Sequence, residues 1–257
     1  MSAPDRLTLF ALPGLPLVEP GDDLVALIRQ GFAAAGERLQ AGDVLVIAQK
    51  IVSKAEGRYA VVERVTPSPE AEALAAETDK DPRLVELILS ESNAVVRHRP
   101  GVIVVEHRHG YVMANAGIDA SNVAPEDGAE RVLLLPEDPD ASAARLRTAL
   151  EALAGGPVGV VINDSVGRAW RNGTVGLCLG SAGLPALDDL RGEPDLFGRP
   201  LMVSTVGLVD ELSAAASLLQ GQGDEGRPVV VIRGLDWQPS EQTGAALIRA
   251  ASEDLFR

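Results

Sequence analysis

The stretch GPVGVVINDSVGRAWRNGTVG, residues 156–176, joins an apolar run to a group of polar side chains. Its segment PVGVVI has the length and composition of a buried strand, and we predict that this strand ends at Ile162. The pair Asn172-Gly173 is typical of turns, so we expect it to close the turn that follows the strand. Carboxylate, hydroxyl and guanidinium groups lie between these points, on Asp164, Ser165, Arg168 and Arg171.

Similar apolar runs alternate with helical periods along the rest of the chain. Further strands are predicted for residues 43–49, 101–107, 111–117, 130–136, 200–207 and 228–234. Helices are predicted for residues 23–39, 68–79, 81–92, 141–155, 208–221 and 240–256. Residues 176–200 are rich in Gly, Pro and Asp, and we predict that they are mostly loop.

A predicted hairpin distinguishes between fold classes. Arg108-His109-Gly110 joins two of the predicted strands, which favours a mixed sheet over a purely parallel one. The sequence therefore predicts an α+β (mixed α/β) fold, with mixed sheets and packed helices. We expect one domain over residues 1–257, and leave open whether it contains two interwoven lobes.

The composition argues against several classes of partner. The net charge is −14, from 23 Lys and Arg against 37 Asp and Glu. We expect no nucleic acid and no anionic membrane as main partner, because phosphate backbones bind to clustered cations. The single cysteine excludes an internal disulfide, and the sequence shows neither a signal peptide nor an apolar run of about 18 residues. We expect a soluble, cytoplasmic protein.

Polar side chains follow three predicted strands, whereas the common nucleotide-binding loops and the spacings of zinc ligands are absent. The first two groups are Lys50, Ser53, Lys54 and Arg58, and then Asn115, Asp119, Ser121 and Asn122. The third group begins at Asp164. Ligands of open α/β sheets collect at the carboxyl ends of strands. Carboxylate and hydroxyl oxygens beside Lys and Arg suit a magnesium–phosphate site, which is our hypothesis for these groups.

Each group also has a purely structural interpretation. Asp164-Ser165 can cap a helix or shape a turn, with about even odds for an isolated pair of this kind. Lys50 and Lys54, four positions apart, can form a solvated helix face. Asn115 and Asn122 lie near glycine and can be turn residues. The residues alone therefore indicate a site without identifying a reaction.

Several long motifs resemble the coenzyme F420-0 gamma-glutamyl ligase family over nearly the whole chain. They are ALPGLPLVEPGDDL, GDVLVIAQKIVSKAEGR, VVRHRPGVIVVEHRHGYVMANAGIDASNV, VINDSVGRAWRNGTVGLCLGSAGLPALDDLRGEPDLFGRPL and DELSAAASLLQGQGDEGRPVVVIRG. Their order and spacing are far more specific than a single short pattern. The chain looks like the stand-alone form of the family, without a nitroreductase-like extension.

The resemblance implies a GTP-dependent ligase that uses Mg²⁺ or Mn²⁺, helped by K⁺. Such an enzyme joins L-glutamate to the phospholactyl carboxylate of F420-0 and then adds further glutamates through the γ-carboxyl group. A family-specific α+β fold and an intertwined homodimer are also implied. The nucleotide contacts carried over by motif are Leu12, Pro13, Gly14, Leu15, Gln49, Lys50, Lys54, Asn122, Gln220, Gly221, Gly223, Asp224, Glu225, Gly226 and Arg227. The implied metal ligands are Asp119, Asp164, Ser165 and Gln222.

Two stretches depart from the family pattern. Where the family has DTFGRPWR this chain has DSVGRAWR, so Val166 and Ala169 replace Phe and Pro and leave the local shape open. The loop QGQGDEG is more polar than usual, which leaves the register of Gln222 open.

Catalytic roles are assigned only in part. Arg168 and Arg171 are our candidates for stabilising the charge that develops on phosphate. No side chain stands out as the general base. A metal-dependent phosphohydrolase that uses the same acid and hydroxyl groups, and a non-catalytic nucleotide-binding protein of the same fold, are the alternative functions.

Overall fold

The computed structural model describes residues 5–125 and 128–255. Its largest sheet has five strands in the order β1-β12-β2-β8-β9, and the shorter strands pair as β4-β5-β6, β3-β7 and β10-β11. The strands are β1 (Thr8–Ala11), β2 (Val44–Ala48), β3 (Tyr59–Val61), β4 (Ser92–Arg99), β5 (Val102–His107), β6 (Val112–Ala114), β7 (Arg131–Leu133), β8 (Gly159–Arg168), β9 (Arg171–Ala182), β10 (Leu187–Asp189), β11 (Thr205–Gly207) and β12 (Val229–Arg233).

Helices of both the α and 3₁₀ types connect these strands. Pro occupies the first turn of α3, α4 and α5, and Ser68, Asp81 and Asp138 cap their free N–H groups. The α-helices are α1 (Leu24–Ala34), α2 (Gln49–Ala55), α3 (Pro69–Thr78), α4 (Pro82–Ser90), α5 (Pro139–Ala154) and α6 (Leu208–Gln220). The 3₁₀ helices are Val62–Arg64, Asn115–Gly117, Gly244–Leu247 and Ala251–Glu253.

The central sheet is buried on both faces, as the continuous apolar run of β2 predicts. Leu45 and Ile47 pack into a core with α1, α2 and α5, whereas Val44 and Val46 pack into a core with α6. β2 and β8 are parallel, and β12 is antiparallel to β2 and β1. The mixed sheets confirm the predicted α+β class.

A third apolar core is formed by residues that lie between α2 and α5 in the sequence. Ala71 and Ala75 of α3, with Val85 and Ile88 of α4, pack there against Ile103 and other residues of the β4-β5-β6 sheet. β5 and β6 are antiparallel neighbours, so the predicted hairpin around His109 is confirmed. No helix within the described ranges is long and apolar enough to cross a bilayer.

The predictions for the stretch that begins at Ile162 were wrong in two respects. β8 continues to Arg168 and pairs with β9 in a long antiparallel ribbon, and the turn lies between Arg168 and Arg171. Trp170, rather than Asn172-Gly173, sits at that turn with a positive φ of 57°. The ribbon continues beyond the sheet because β9 supplies the backbone partners that β2 no longer provides.

The glycines of residues 176–200 had indicated a loop, which was also wrong because this range contains most of β9 and all of β10. A Cβ on Gly176 would overlap the carbonyl of Ser213 in α6, and one on Gly180 would overlap Pro139 of α5. Glycine here allows the helices to pack against the strand backbone, which is a different use from a turn.

Two further element predictions need correction. Among residues 240–255 the structure shows two short 3₁₀ helices instead of the predicted helix, and Phe256 lies outside the described residues. Gly244 packs against the backbone of Gly180, and Asp140 Oδ1 accepts from Gly244 N at 2.8 Å, so tertiary contacts fix this tail in an irregular path. Of residues 200–207, only Thr205–Gly207 forms a strand.

Candidate active site

The carboxyl ends of β1 and β2 lie at one edge of the central sheet, where β8 leaves the sheet and continues into its ribbon with β9. Ala48 of β2 is paired with Asn163 of β8, so Gln49 and Asp164 follow side by side at this edge. The Ala48 N–H donates to the carbonyl of Pro228 at 2.8 Å, which brings the loop that precedes β12 to the same place. Residues that follow β1 and β2, the part of β8 beyond its pairing with β2 and the loop before β12 therefore lie around one edge of the sheet, as at the ligand sites of open sheets.

Asp119 reaches this region from the segment between β6 and β7. Lys50 Nζ lies 2.6 Å from Asp119 Oδ2 and 2.7 Å from Ser121 Oγ. Ser121 donates to the same carboxylate through its N–H at 2.6 Å and its hydroxyl at 3.0 Å. Burial acts to raise the pKa of Asp119, but these hydrogen bonds and the Lys50 charge hold it below its usual value. Asp119 is therefore an ionised carboxylate at neutral pH.

Asp164 has the opposite electrostatic character. Burial raises its pKa to about 6, and the nearby carboxylate of Asp119 acts in the same direction. The N–H of Ser165, the Lys50 charge and the Gln49 side chain oppose this rise. Two acidic groups thus lie close enough to repel each other, and a cation between them would remove that repulsion.

Gln49 is held in one orientation by its neighbours. It is only 2% exposed, and its Oε1 accepts a hydrogen bond from Ser53 Oγ at 3.0 Å. Its side chain also lies close enough to Asp164 to lower the pKa of that carboxyl, so α2 and β8 are neighbours at this point. The structure places this predicted nucleotide contact beside a predicted metal ligand.

Lys54, one turn after Lys50 on α2, contacts the segment that carries Asp119. Its Nζ donates to the carbonyl of Asn122 at 2.8 Å. Burial lowers the pKa of Lys54, and the neighbouring Lys50 charge lowers it further. A pair of ammonium groups that repel each other suits the binding of a polyanion such as a nucleotide phosphate chain.

The predicted nucleotide contacts after β1 are divided between the core and the surface. Leu12 is fully buried in the core with α1, and its N–H donates to the carbonyl of Val229 at 2.9 Å. Pro13 and Gly14 are exposed, and Gly14 has a φ of 71° that favours glycine. Leu15 is partly buried against the same core.

The loop 221–227, which follows α6, contacts the segment that carries Asn122. Gly221 ends the helix with a φ of 73°, and a Cβ there would overlap the Glu225 carboxylate. Gly223 N–H donates to Glu225 Oε2 at 2.8 Å, and Asn122 Nδ2 donates to the Gly223 carbonyl at 3.3 Å. The remaining predicted contacts of this loop are exposed, namely Gln222, Asp224, Gly226 and Arg227.

Arg168 and Arg171 are not brought to this cluster within the chain. Both are exposed at the tip of the β8-β9 ribbon, where Arg168 donates to the Gly173 carbonyl at 3.2 Å. At about 3.4 Å per residue, Arg168 lies roughly 13 Å along the strand from Asp164. Of the two departures, Val166 packs in a small apolar cluster with Leu135 and Leu179, and Ala169 lies in the exposed turn.

Comparison with known proteins decides the family. Residues 14–234 match the model of the F420-0:Gamma-glutamyl ligase family. The chain belongs to this ligase family. It is 47% identical over 253 residues to the coenzyme F420:L-glutamate ligase of Methanothermobacter thermautotrophicus, covering 98% of this chain and 99% of that protein. The ligase of the same name from Methanopyrus kandleri is 48% identical over 93% of both chains. That from Archaeoglobus fulgidus is 42% identical over 98% of this chain and 97% of its own.

Family membership supports a ligase enzyme of coenzyme F420 biosynthesis, and the candidate site has donors that fit a hard cation. The described residues contain no group of three or more His, Cys, Asp and Glu side chains that could hold a metal. Asp119 and Asp164 alone supply carboxylates, so Ser165, Gln222, water or phosphate oxygens would complete the coordination. Such mixed oxygen ligands are typical of Mg²⁺ bound together with a phosphorylated substrate.

The sequence did not single out one buried polar residue next to the candidate site. Asn163 is 3% exposed and hydrogen-bonds Gln220, the last residue of α6. An asparagine inside an otherwise apolar strand was the available signal, because a buried amide needs hydrogen-bond partners. The position of those partners could not be read from the local sequence.

Proposed function

We propose that this ligase joins L-glutamate to coenzyme F420-0 with cleavage of GTP, and then extends the product by γ-linked glutamates. The observation that carries the proposal is the cluster of Lys50, Asp119 and Asp164 at the carboxyl edge of the sheet, in a chain of this family. Acid, ammonium and backbone groups at one edge suit a reaction in which phosphate charge must be neutralised.

Residues from three segments would bind GTP. Lys50 and Lys54 provide positive charge, the exposed backbone at Pro13 and Gly14 provides close approach, and the loop 221–227 closes the other side. When bound by Asp119, Asp164, Ser165 and Gln222, Mg²⁺ or Mn²⁺ would neutralise charge on the phosphates. We include K⁺ as an accessory cation because of the resemblance to the family alone.

The chemistry we propose has two steps. In the first step, a carboxylate oxygen of F420-0 attacks the γ-phosphorus of GTP. The bond between the γ-phosphorus and the β-phosphate oxygen breaks, GDP departs, and F420-0 becomes an acyl phosphate. In the second, the glutamate amine attacks the acyl carbon, inorganic phosphate leaves, and the amine proton passes to solvent. Lys50 would stay near the transferring phosphoryl group through both steps, where its charge opposes the negative charge that develops.

We also propose that the ligase is a homodimer that works in the cytoplasm. The arm between β10 and β11 exposes Leu196, Phe197, Met202 and Val203, whose exposed fractions range from 76% to 100%. Large apolar side chains exposed together on one arm are typical of a contact between proteins, and a second copy of the chain would cover them. The lone cysteine, Cys178, suits a reducing compartment.

An assay of products tests the proposal. Purified protein is mixed with F420-0, GTP, L-glutamate and Mn²⁺, and products are resolved by mass. We expect mass increments of glutamate residues with one GDP formed per glutamate added. Release of phosphate from GTP without glutamate and without a mass increment would contradict ligation and favour a phosphohydrolase. Size-exclusion chromatography with light scattering tests the dimer in the same preparation.

A further inference from the structure

The buried Asn163 and the partly buried Gln220 form a reciprocal pair of amide hydrogen bonds. Asn163 Nδ2 donates to Gln220 Oε1 at 2.8 Å, and Gln220 Nε2 donates to Asn163 Oδ1 at 3.0 Å. Asn163 Nδ2 also lies 3.5 Å from the carbonyl of Ser213. Each amide satisfies the other, so removing one leaves the second without its buried partner.

The pair joins two parts of the proposed site. Asn163 directly precedes Asp164, at a bulge where the pairing of β8 with β9 shifts by one residue. Consecutive side chains of a strand point to opposite faces, so Asn163 hydrogen-bonds residues of α6 whereas Asp164 lies near Gln49 of α2. Gln220 is the last residue of α6 and directly precedes the loop 221–227.

The later residues of the loop and Pro228, which follows it, accept hydrogen bonds through their backbone carbonyls. Asn122 donates to the carbonyl of Gly223, and Ala48 donates to that of Pro228. Gly221 leaves the helix in a conformation with a φ of 73°. The direction in which the loop starts therefore depends on the position of Gln220, which Asn163 fixes.

We propose that the Asn163–Gln220 pair is a positioning device that couples the metal ligand Asp164 to the nucleotide-binding loop. The inference rests on the proposed function, because it assigns a metal to Asp164 and a nucleotide to the loop. The sequence resemblance implied that Gln220 contacts the nucleotide directly. We assign its side chain to Asn163 instead, so that it positions the loop 221–227. Metal and GTP then bind cooperatively, with a coupling factor in the usual range of about 5- to 150-fold.

Hydrogen exchange on the ligand-free protein tests the pair without any assumption about function. The variants are Asn163→Ala, Gln220→Ala, the double alanine variant and the exchanged variant N163Q/Q220N, which keeps one long and one short amide. We expect faster exchange at residues 221–227 in each single variant, no further increase in the double variant, and recovery in the exchanged variant. Wild-type protection of residues 221–227 in both single variants would overturn the positioning role.

Titration of a non-hydrolysable GTP analogue with and without Mn²⁺ tests the coupling itself. The ratio of the two Kd values gives the coupling factor, which we expect to fall towards one in both alanine variants and to return in N163Q/Q220N. Gln242→Ala is the control, because Gln242 accepts from the N–H groups of Ala186 and Leu187 away from the loop. We expect it to lower Tm without changing the factor.

The two tests separate failure of the inference from failure of the proposed function. An unchanged factor in variants that have lost loop protection would overturn the coupling. A wild-type protein that binds neither the analogue nor Mn²⁺ would overturn the proposed function and the coupling together, while the exchange data would still decide whether the pair holds the loop.

Discussion

Lys50 Nζ lies 2.6 Å from Asp119 Oδ2, and the same ammonium group donates to the hydroxyl of Ser121 at 2.7 Å. The pair is partly exposed, with 23% and 34% of the two side chains accessible, so it contributes little to stability. The Lys50–Asp119 pair instead holds an ammonium group and an ionised carboxylate together at one point of the candidate site. The phosphoryl transfer that we propose requires charge at this point.

Lys50→Met should therefore remove activity with little effect on stability. We expect kcat to fall by about 10²- to 10³-fold, as for the loss of one group that stabilises transition-state charge. The free energy of unfolding should change by less than about 1 kcal/mol. Lys80→Met, at the end of α3, is the matched control and should keep wild-type kcat. A Lys50→Met enzyme with kcat close to that of the wild type would exclude the role given to Lys50.

Asp164→Asn should abolish most turnover while leaving the fold intact. The substitution keeps the shape of the side chain and removes the negative charge that a cation needs. Burial raises the pKa of Asp164 to about 6, so the protein already accommodates a neutral group at this position and Tm should not fall. Circular dichroism and the product assay check the two halves of this expectation. Turnover within a few-fold of the wild type would exclude Asp164 as a metal ligand.

The paired variant Arg168→Ala/Arg171→Ala tests the role suggested by sequence for these residues. Their exposed positions at the ribbon tip, roughly 13 Å along the strand from Asp164, lead us to expect less than about a tenfold loss of kcat. Measurement of kcat and KM for GTP distinguishes a role in stabilising phosphate charge from a position too distant for that role. A loss as large as that of Lys50→Met would mean that the ribbon tip reaches the reacting phosphate, in the same chain or in a second copy.

The predictions that succeeded were those that depend on local pattern. The apolar run of β2 and the capped periodic sequence of α4 are each determined by residues close in the chain, and both elements lie where they were expected. The glycines of β9 were wrongly predicted to lie in a loop, because their role is to pack against helices that are distant in sequence. Asn163 was missed for the same reason, since its partner Gln220 lies on another element.

Gly176→Ala should destabilise the protein through this close packing. The new Cβ would overlap the carbonyl of Ser213, and backbone cannot move aside as a flexible side chain does. Overpacking of this kind costs about 1–3 kcal/mol. Gly167→Ala is the control on the same ribbon, because its Cβ would have no neighbour within 4 Å among the described atoms. Chemical denaturation of both variants measures the difference, and equal stability would contradict the packing.

Asp210→Asn should change the pH dependence of stability. Burial raises the pKa of Asp210 above its ordinary value of 3.8, although the N–H of Cys178 opposes the rise by donating to Oδ1 at 2.8 Å. The folded state therefore holds this proton more tightly than the unfolded state. The resulting stabilisation is present below the unfolded pKa and is lost as pH rises through the folded pKa.

Asparagine cannot ionise, and its Oδ1 can still accept from Cys178, so the variant lacks this loss. We expect Tm of Asp210→Asn minus Tm of the wild type to increase as pH is raised from 4 towards 7, and then to level off. Thermal melts of ligand-free protein in buffers of constant ionic strength measure the difference, with Asp195→Asn in the exposed arm as control. The pKa of Asp195 is lowered from its ordinary value of 3.8, chiefly by the N–H of Arg199, so its contribution to stability is complete above that value and the difference for this control should stay nearly constant from pH 4 to 7. A difference for Asp210→Asn that is independent of pH would show that the carboxyl is not perturbed by burial.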